Sequence, residues 1–199
     1  MIRKFLVASA LAVSLGLSGC GYNEIQTFDE STKSSWSEVL NQYQRRSDLI
    51  PNLVNTVKGY AQQEKDVLLG VTEARSRVGQ IKVDPSDPAS LKQFESAQRD
   101  MGSALSRLLV VSENYPQLKS DANFRELQTQ LEGTENRITV ARKRYIESIQ
   151  QYNVHVRQFP ANLTAMAFGY KEKPQFAVEN EREISKAPAV NFEKPAEKK

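Results

Sequence analysis

The stretch RRSDLIPNLVNTVKGY, Arg45 to Tyr60, decides how the rest of this chain folds. Its apolar residues Leu49, Ile50, Leu53, Val54, Val57 and Tyr60 recur every three or four positions, which closes one stripe on a helix. The same period runs back through Tyr43, Leu40, Val39 and Trp36, and forward through Ala61, Val67, Leu68, Val71 and Ala74. No cap interrupts it, so the pattern predicts one coiled-coil-like helix from Trp36 to Val78-Gly79, on the order of 60 Å long. Pro51 lies inside it. A proline there removes an amide donor and pushes against the carbonyl four residues back, that of Ser47. Because Tyr43, Ile50, Val54 and Val57 stay in phase across it, Pro51 is expected to bend the helix and not to reverse the chain.

Working downstream, Asp84-Pro85-Ser86-Asp87-Pro88 is dense turn chemistry, and Asp87 is placed to cap a second helix with Pro88 at its first position. That helix carries Leu91, Phe94, Met101, Leu105, Leu108 and Val111 and stops at Asn114-Tyr115-Pro116. A third begins near Asp121, with Asn123 and Glu126 in capping-box relation. It carries Phe124, Leu127, Leu131, Ile138, Ala141, Tyr145, Ile149, Tyr152 and Val156 and ends at Gln158-Phe159-Pro160. A short fourth helix, 162 to 168, precedes Gly169. Residues 171–199 hold Pro174, Pro188 and Pro195 among Lys and Glu and read as an extended or disordered tail, with Phe176 and Phe192 as local docking points. No stretch alternates with period two. The reading is all-α: an antiparallel bundle of about four helices, three long and one short, over residues 31–170.

Upstream, Met1-Ile2-Arg3-Lys4 is a basic cap, followed by an apolar run from Phe5 to Leu17 and then Ser18-Gly19-Cys20. That is a secretory signal peptide over residues 1–19, its apolar core short of the roughly 20 residues of a spanning helix. Leu17-Ser18-Gly19-Cys20 resembles the bacterial lipoprotein box, in which the cysteine is lipidated and becomes the new N-terminus. Only a thiol can take the diacylglyceryl thioether, and Cys20 is the single cysteine of the chain. Residues 20–30 then read as a polar spacer. In a Gram-negative envelope an aspartate after the cysteine commonly retains a lipoprotein at the inner membrane; here Gly21 stands there, which favours the periplasmic face of the outer membrane.

Without the signal about 180 residues remain, enough for one domain with a proper core. A lone cysteine forms no internal disulfide, so packing alone must hold the fold. The 27 basic and 24 acidic residues are interspersed, which implies neither a nucleic-acid surface nor a strongly basic membrane patch.

From about Tyr22 to Phe192 the chain resembles the LemA family. The resemblance rests on Trp36 with Val39, on the RRSDLIPNLVNTVKGY block, on Glu113-Asn114-Tyr115-Pro116 with Leu118-Lys119, on Leu131-Glu132-Gly133-Thr134-Glu135-Asn136-Arg137-Ile138, on Ala141-Arg142 with Tyr145, on Tyr152-Asn153 and on Phe159-Pro160. It implies a helical bundle exposed outside the cytoplasm and tethered at its N-terminus, with no established enzymatic activity. The chain departs from the family's pattern at Gln63-Glu64, where a histidine often precedes the glutamate, and at Tyr145-Ile146, where asparagine often follows the tyrosine. Many members are tethered by a membrane helix, whereas the anchor here rests on Cys20.

Chemistry is sparse. His155 is the only histidine and lacks any His-x-x-x-His or cysteine partner, so it reads as a surface or seam residue and not as a ligand. The nine glycines form no dinucleotide or phosphate loop. Glu132 and Glu135 sit a helical turn apart, but di-metal bundles also need a Glu-x-x-His pair on each of two helices. No metal and no cofactor are expected. What remains is polar residues on or beside the seam: Arg45, Arg46, Asp48, Asn52 and Asn55, and Glu135, Asn136, Arg137, Arg142 and Asn153. They read first as a layer that fixes register by paired hydrogen bonds, and alternatively as a groove for an envelope protein partner whose carboxylate or phosphate meets the Arg pair. The expected function is that of a non-catalytic, lipid-anchored scaffold or interaction module of the cell envelope, with an envelope enzyme of unrecognised type as the alternative.

Overall fold

The computed structural model describes residues 2–176, with side chains from Gly21 onward. It is all-helical. Helix α1 spans Ile2–Tyr60, α2 Lys65–Gln80, α3 Pro88–Ser112, α4 Pro116–Ser120, α5 Ala122–Arg157 and α6 Ala161–Phe168. The Cys20 side chain, Phe192 and the tail beyond residue 176 lie outside the described residues.

Helix α1 carries Pro51 without interruption, as the unbroken phase of its stripe required. It does not continue to Val78. The chain turns at residues 61–64 and α2 folds back along α1, so that Arg75 Nε donates to the Ser47 carbonyl at 3.1 Å. The physical reason is that an in-phase stripe cannot tell one long helix from two halves facing a common core. Ile50, Leu53, Val57 and Ala61 from one side and Leu68, Val71 and Ala74 from the other bury against each other. The readable signal was the polar gap Gln62-Gln63-Glu64-Lys65-Asp66, which interrupts the stripe without a glycine or proline.

The structure also revises the other end of α1. Residues 21–30, read above as spacer, are helix, and Ile25 is fully buried beside Tyr152, Val156 and Ala165. The heptad spacing that runs through 36, 39, 43, 46, 50, 53 and 57 extends back through 32, 29 and 25. Thr32 and Asp29 hid it because polar residues fill two of those positions.

Cap chemistry sets the remaining ends. Asp87 accepts from Ala89 N at 3.1 Å and Ser90 N at 3.0 Å, with Pro88 at the first helical position. Helix α5 is capped by Asp121, which accepts from Phe124 N at 2.9 Å, and not by Asn123. Gly169, at φ 74°, ends α6, and Tyr170 N donates to the Ala165 carbonyl at 2.9 Å. Only glycine adopts that left-handed backbone without strain.

Tyr60 meets Asp121, Arg46 meets Glu135, Tyr43 meets Arg142, Trp36 meets Tyr145 and Glu24 meets His155. Positions falling along α1 pair with positions rising along α5, so the two long helices run antiparallel. Helix α3 lies beside α1 in the same direction: Phe94 packs on Trp36 and Tyr43, and Gln98 bonds Arg46. The apolar interior falls into three clusters along this axis: Ile25 with Tyr152 and Val156, then Trp36, Tyr43, Phe94, Tyr145 and Phe176, then Ile50 to Ala61 with α2, α3, Leu118 and Phe124. Polar side chains fill the levels between them.

Candidate functional site

The upper polar level is built from residues at core positions of three helices. On α1, Arg46 stands between Tyr43 and Ile50; on α3, Gln98 stands between Phe94 and Met101; on α5, Thr134 stands between Leu131 and Ile138. All three are buried. Arg46 Nη1 donates to Glu135 Oε1 at 2.8 Å. Its Nη2 donates to the Gln98 carbonyl at 3.1 Å and to the Gln98 side-chain oxygen. Its guanidinium also lies 5.1 Å from the centre of the Tyr43 ring. Thr134 hydroxyl donates back to Gln130 O at 2.7 Å and accepts from Arg137 Nη2 at 2.8 Å.

Beside it, Arg142 Nη1 donates to the Tyr43 hydroxyl at 3.0 Å, and Nη2 pairs with Glu95 at 2.9 Å. Burial by itself would lower the Arg142 guanidinium, but Tyr43 and Glu95 beside it carry it above the ordinary value. The outer edge of this level opens as a cleft of about 330 Å³ lined by Tyr43, Arg46, Glu95, Arg99, Glu135 and Arg142. Two arginines of its wall are already held by carboxylates of the same wall, so its chemistry is that of closed ion pairs.

The structure sorts the residues that sequence placed together. Arg46 and Glu135 meet across α1 and α5. Arg45, Asp48, Asn52 and Asn136 are exposed and outside the buried layer, and Arg137, also exposed, reaches it through its Nη2 bond to Thr134. Asp48 accepts from Gln44 Nε2 at 2.7 Å, and Arg137 Nε donates to Gln42 at 3.1 Å, both on the surface. Asn52 and Asn55 share a separate shallow hollow with Asn123 and Gln130. Gln98 and Glu95 were missed, although Gln98 had a legible signal: it completes the spacing 91, 94, 98, 101, 105, 108 that otherwise holds only apolar residues.

A second polar level lies between the first and second clusters. Asn153 Nδ2 donates to Lys173 O at 2.9 Å and Asn153 Oδ1 accepts from Lys173 N at 2.8 Å, a two-point grip on backbone. Lys173 Nζ then reaches Asp29 at 2.6 Å and donates to Thr32 at 2.9 Å, 4.9 Å from the centre of the Tyr152 ring. Burial would raise the Asp29 carboxyl, but hydrogen bonds from Lys173 and Lys33, with their charges, bring it below the ordinary carboxylate range. Residues 171–176 are thereby strapped across α1 and α5, and Phe176 docks as expected, its ring 5.3 Å from Tyr145 and 5.9 Å from Trp36. Arg142 covers it at 4.2 Å.

His155 sits on the seam. Its Nε2 is buried 3.3 Å from Glu24 without the alignment of a hydrogen bond, and its ring lies 5.1 Å from Phe28. Among the described residues no three His, Cys, Asp or Glu side chains stand together as metal ligands, and no helix is long and apolar enough to cross a membrane.

The chain is 26% identical over 196 residues to magnetosome protein MamQ 2 of Paramagnetospirillum magneticum, a match covering 88% of this chain and 72% of the relative. It is 26% identical over 174 residues to magnetosome protein MamQ of Magnetospirillum gryphiswaldense, covering 78% and 64%. Protein LemA of Metamycoplasma hominis is 22% identical over 168 residues, covering 82% and 74%. The family described as LemA matches residues 35–192, a span that takes in Arg46, Gln98, Glu135 and the Asn153 grip on Lys173. With most of its length inside that match, this chain belongs to the LemA family.

Proposed function

We propose that this chain is a non-catalytic, lipid-anchored scaffold of the bacterial cell envelope, held through Cys20 and presenting its bundle as an interaction module for envelope proteins. One observation carries the reading. Gly21 already sits against the bundle, where a Cβ added to it would stand 3.2 Å from Ala161 Cα. A lipid on Cys20 would therefore attach to the core helix itself, with no flexible leader between anchor and fold. Two or more acyl chains at about 0.8 kcal/mol per buried methylene hold firmly where one would not. Two relatives are named for the magnetosome, and a structural part in a larger assembly is what that name supports here. Gly21 favours the periplasmic face of the outer membrane in a two-membrane cell.

Fractionation of the parent and of Cys20→Ala, with labelled palmitate, tests the anchor: label and membrane association are both expected to fall. Unchanged labelling and unchanged association would sink it. Label in protein that bands with the inner membrane would overturn only the sorting. Mild cross-linking in envelope membranes, followed by pull-down, tests the scaffold; recovery of the chain alone would count against it.

A further inference from the structure

Resting on that anchored reading, we infer that the outward face of α6 is a second membrane contact, lying in the headgroup-acyl boundary of the bilayer that holds Cys20. Phe159, Leu163, Met166 and Phe168 are 79%, 57%, 78% and 63% exposed. Leu163 and Met166 lie one turn apart on the outward side of α6, with Phe159 in the turn that precedes the helix and Phe168 at its end, while the small residues Ala161 and Ala165 face the bundle and are buried. This reverses the usual surface helix, whose apolar stripe faces the core. From Gln158 to Tyr170 there is no charged residue, whereas Arg157 and Lys171 flank the stretch on either side. Among the described residues, other exposed large apolar side chains such as Leu69, Val110 and Val140 lie far apart in the sequence, whereas four fall between positions 159 and 168.

What lies over this face follows from where it sits. Helix α6 packs on α1 at Gly21, one residue from the anchoring cysteine, and the Tyr22 ring stands 5.0 Å from that of Phe168 and 6.4 Å from that of Tyr170. At 1.5 Å per helical residue, the patch and the acyl chains share one end of the molecule. Any occupant of the face must sit where the bilayer surface already is, and Tyr at the rim with basic flanks suits a headgroup boundary. A lipid tether alone leaves the bundle free to tilt. A second contact at α6 fixes the axis of α1 relative to the membrane.

The test places an indole in the patch by Met166→Trp in the full-length chain, purified from membranes and reconstituted in phosphatidylethanolamine-phosphatidylglycerol vesicles with or without brominated acyl chains. Emission is read as the difference from the same chain without the substitution, since Trp36 is buried and common to both. The introduced indole is expected to shift to the blue in vesicles and to lose most of its emission to bromine. Adding Leu163→Glu and Phe168→Glu, both at exposed positions, is expected to restore the emission and leave the melting temperature unchanged. A water-like spectrum overturns the inference, and if the same protein is palmitate-labelled and floats with vesicles, the anchor stands without it. A blue shift that bromine does not quench also overturns it, because protein, a second copy or another partner, then covers the face. Quenching in a chain that carries no palmitate supports the α6 contact and sinks the lipid anchor.

Discussion

Arg45 and Arg46 are neighbours in sequence and opposites in environment, and the difference sets what each substitution does. Arg46 is buried with three donated hydrogen bonds, so Arg46→Ala strands the Gln98 carbonyl and side-chain oxygen and leaves a void. Glu135 is 45% exposed and keeps part of its hydration, which places the loss below that of a fully buried pair, at about 2 to 3 kcal/mol. Arg45→Ala is expected to stay within about 0.5 kcal/mol. Denaturant titration of both checks this, and equal melting of the two variants would show that the layer does not hold register. Tyr145 supplies a pH dependence. Burial pushes its hydroxyl up to about 12. Below pH ~10 the phenol is neutral in both states and its contribution is complete. As pH rises toward about 12 the unfolded phenol ionises first, so stability falls through that window. Tyr145→Phe should flatten this alkaline loss, leaving the residual slope from Tyr60, Tyr115, Tyr152 and Tyr170, all shifted upward. An unchanged pH profile between 10 and about 12 would count against the assignment.

Elements meet here through groups that one of them leaves unsatisfied. Pro51 frees the Ser47 carbonyl, and Arg75 of the returning α2 takes it at 3.1 Å. Pro51→Ala restores an amide donor to α1 and removes the need for Arg75. A double-mutant cycle should therefore find Arg75→Ala costly in the parent, by about 0.5 to 1.5 kcal/mol, and nearly neutral beside Pro51→Ala. Additive losses would mean that the bond does not dock α2. The strap of residues 171–176 depends likewise on Asn153 and Asp29. Asn153→Ala removes both grips on Lys173 and should free Phe176 from Trp36, the single tryptophan, shifting its emission to the red. Acid should do the same: the Asp29 carboxyl lies below its ordinary value when folded, so its contribution is present above pH ~4 and lost as pH falls further. Hydrogen exchange at residues 171–176 that ignores both changes would rule out the clamp.

Across the whole molecule α1 threads all three apolar clusters, with Ile25 in the first, Trp36 in the second and Val57 in the third. Loss of one cluster therefore exposes a helix shared by the other two, and Trp36 emission and helical circular dichroism should follow one coincident unfolding transition. Two separated transitions would show that the polar levels divide the bundle into independent units. Period determined that this chain is helical and that Pro51 lies inside one helix, and capping residues determined that Asp87 and Gly169 mark helix ends, because local spacing and capping act within a few residues. Periodicity also held the addresses of Arg46 and Gln98, since each occupies a core position of its own heptad. It could not say that Arg46 would bond Gln98 while Arg45 faced water, or that Asn153 would hold Lys173. Nor could it show that the stripe folds back at residues 61–64, since a straight helix and a hairpin expose the same in-phase face until a partner is present. Those outcomes join residues between 20 and 52 positions apart in sequence, and only the packing of one segment on another brings them together.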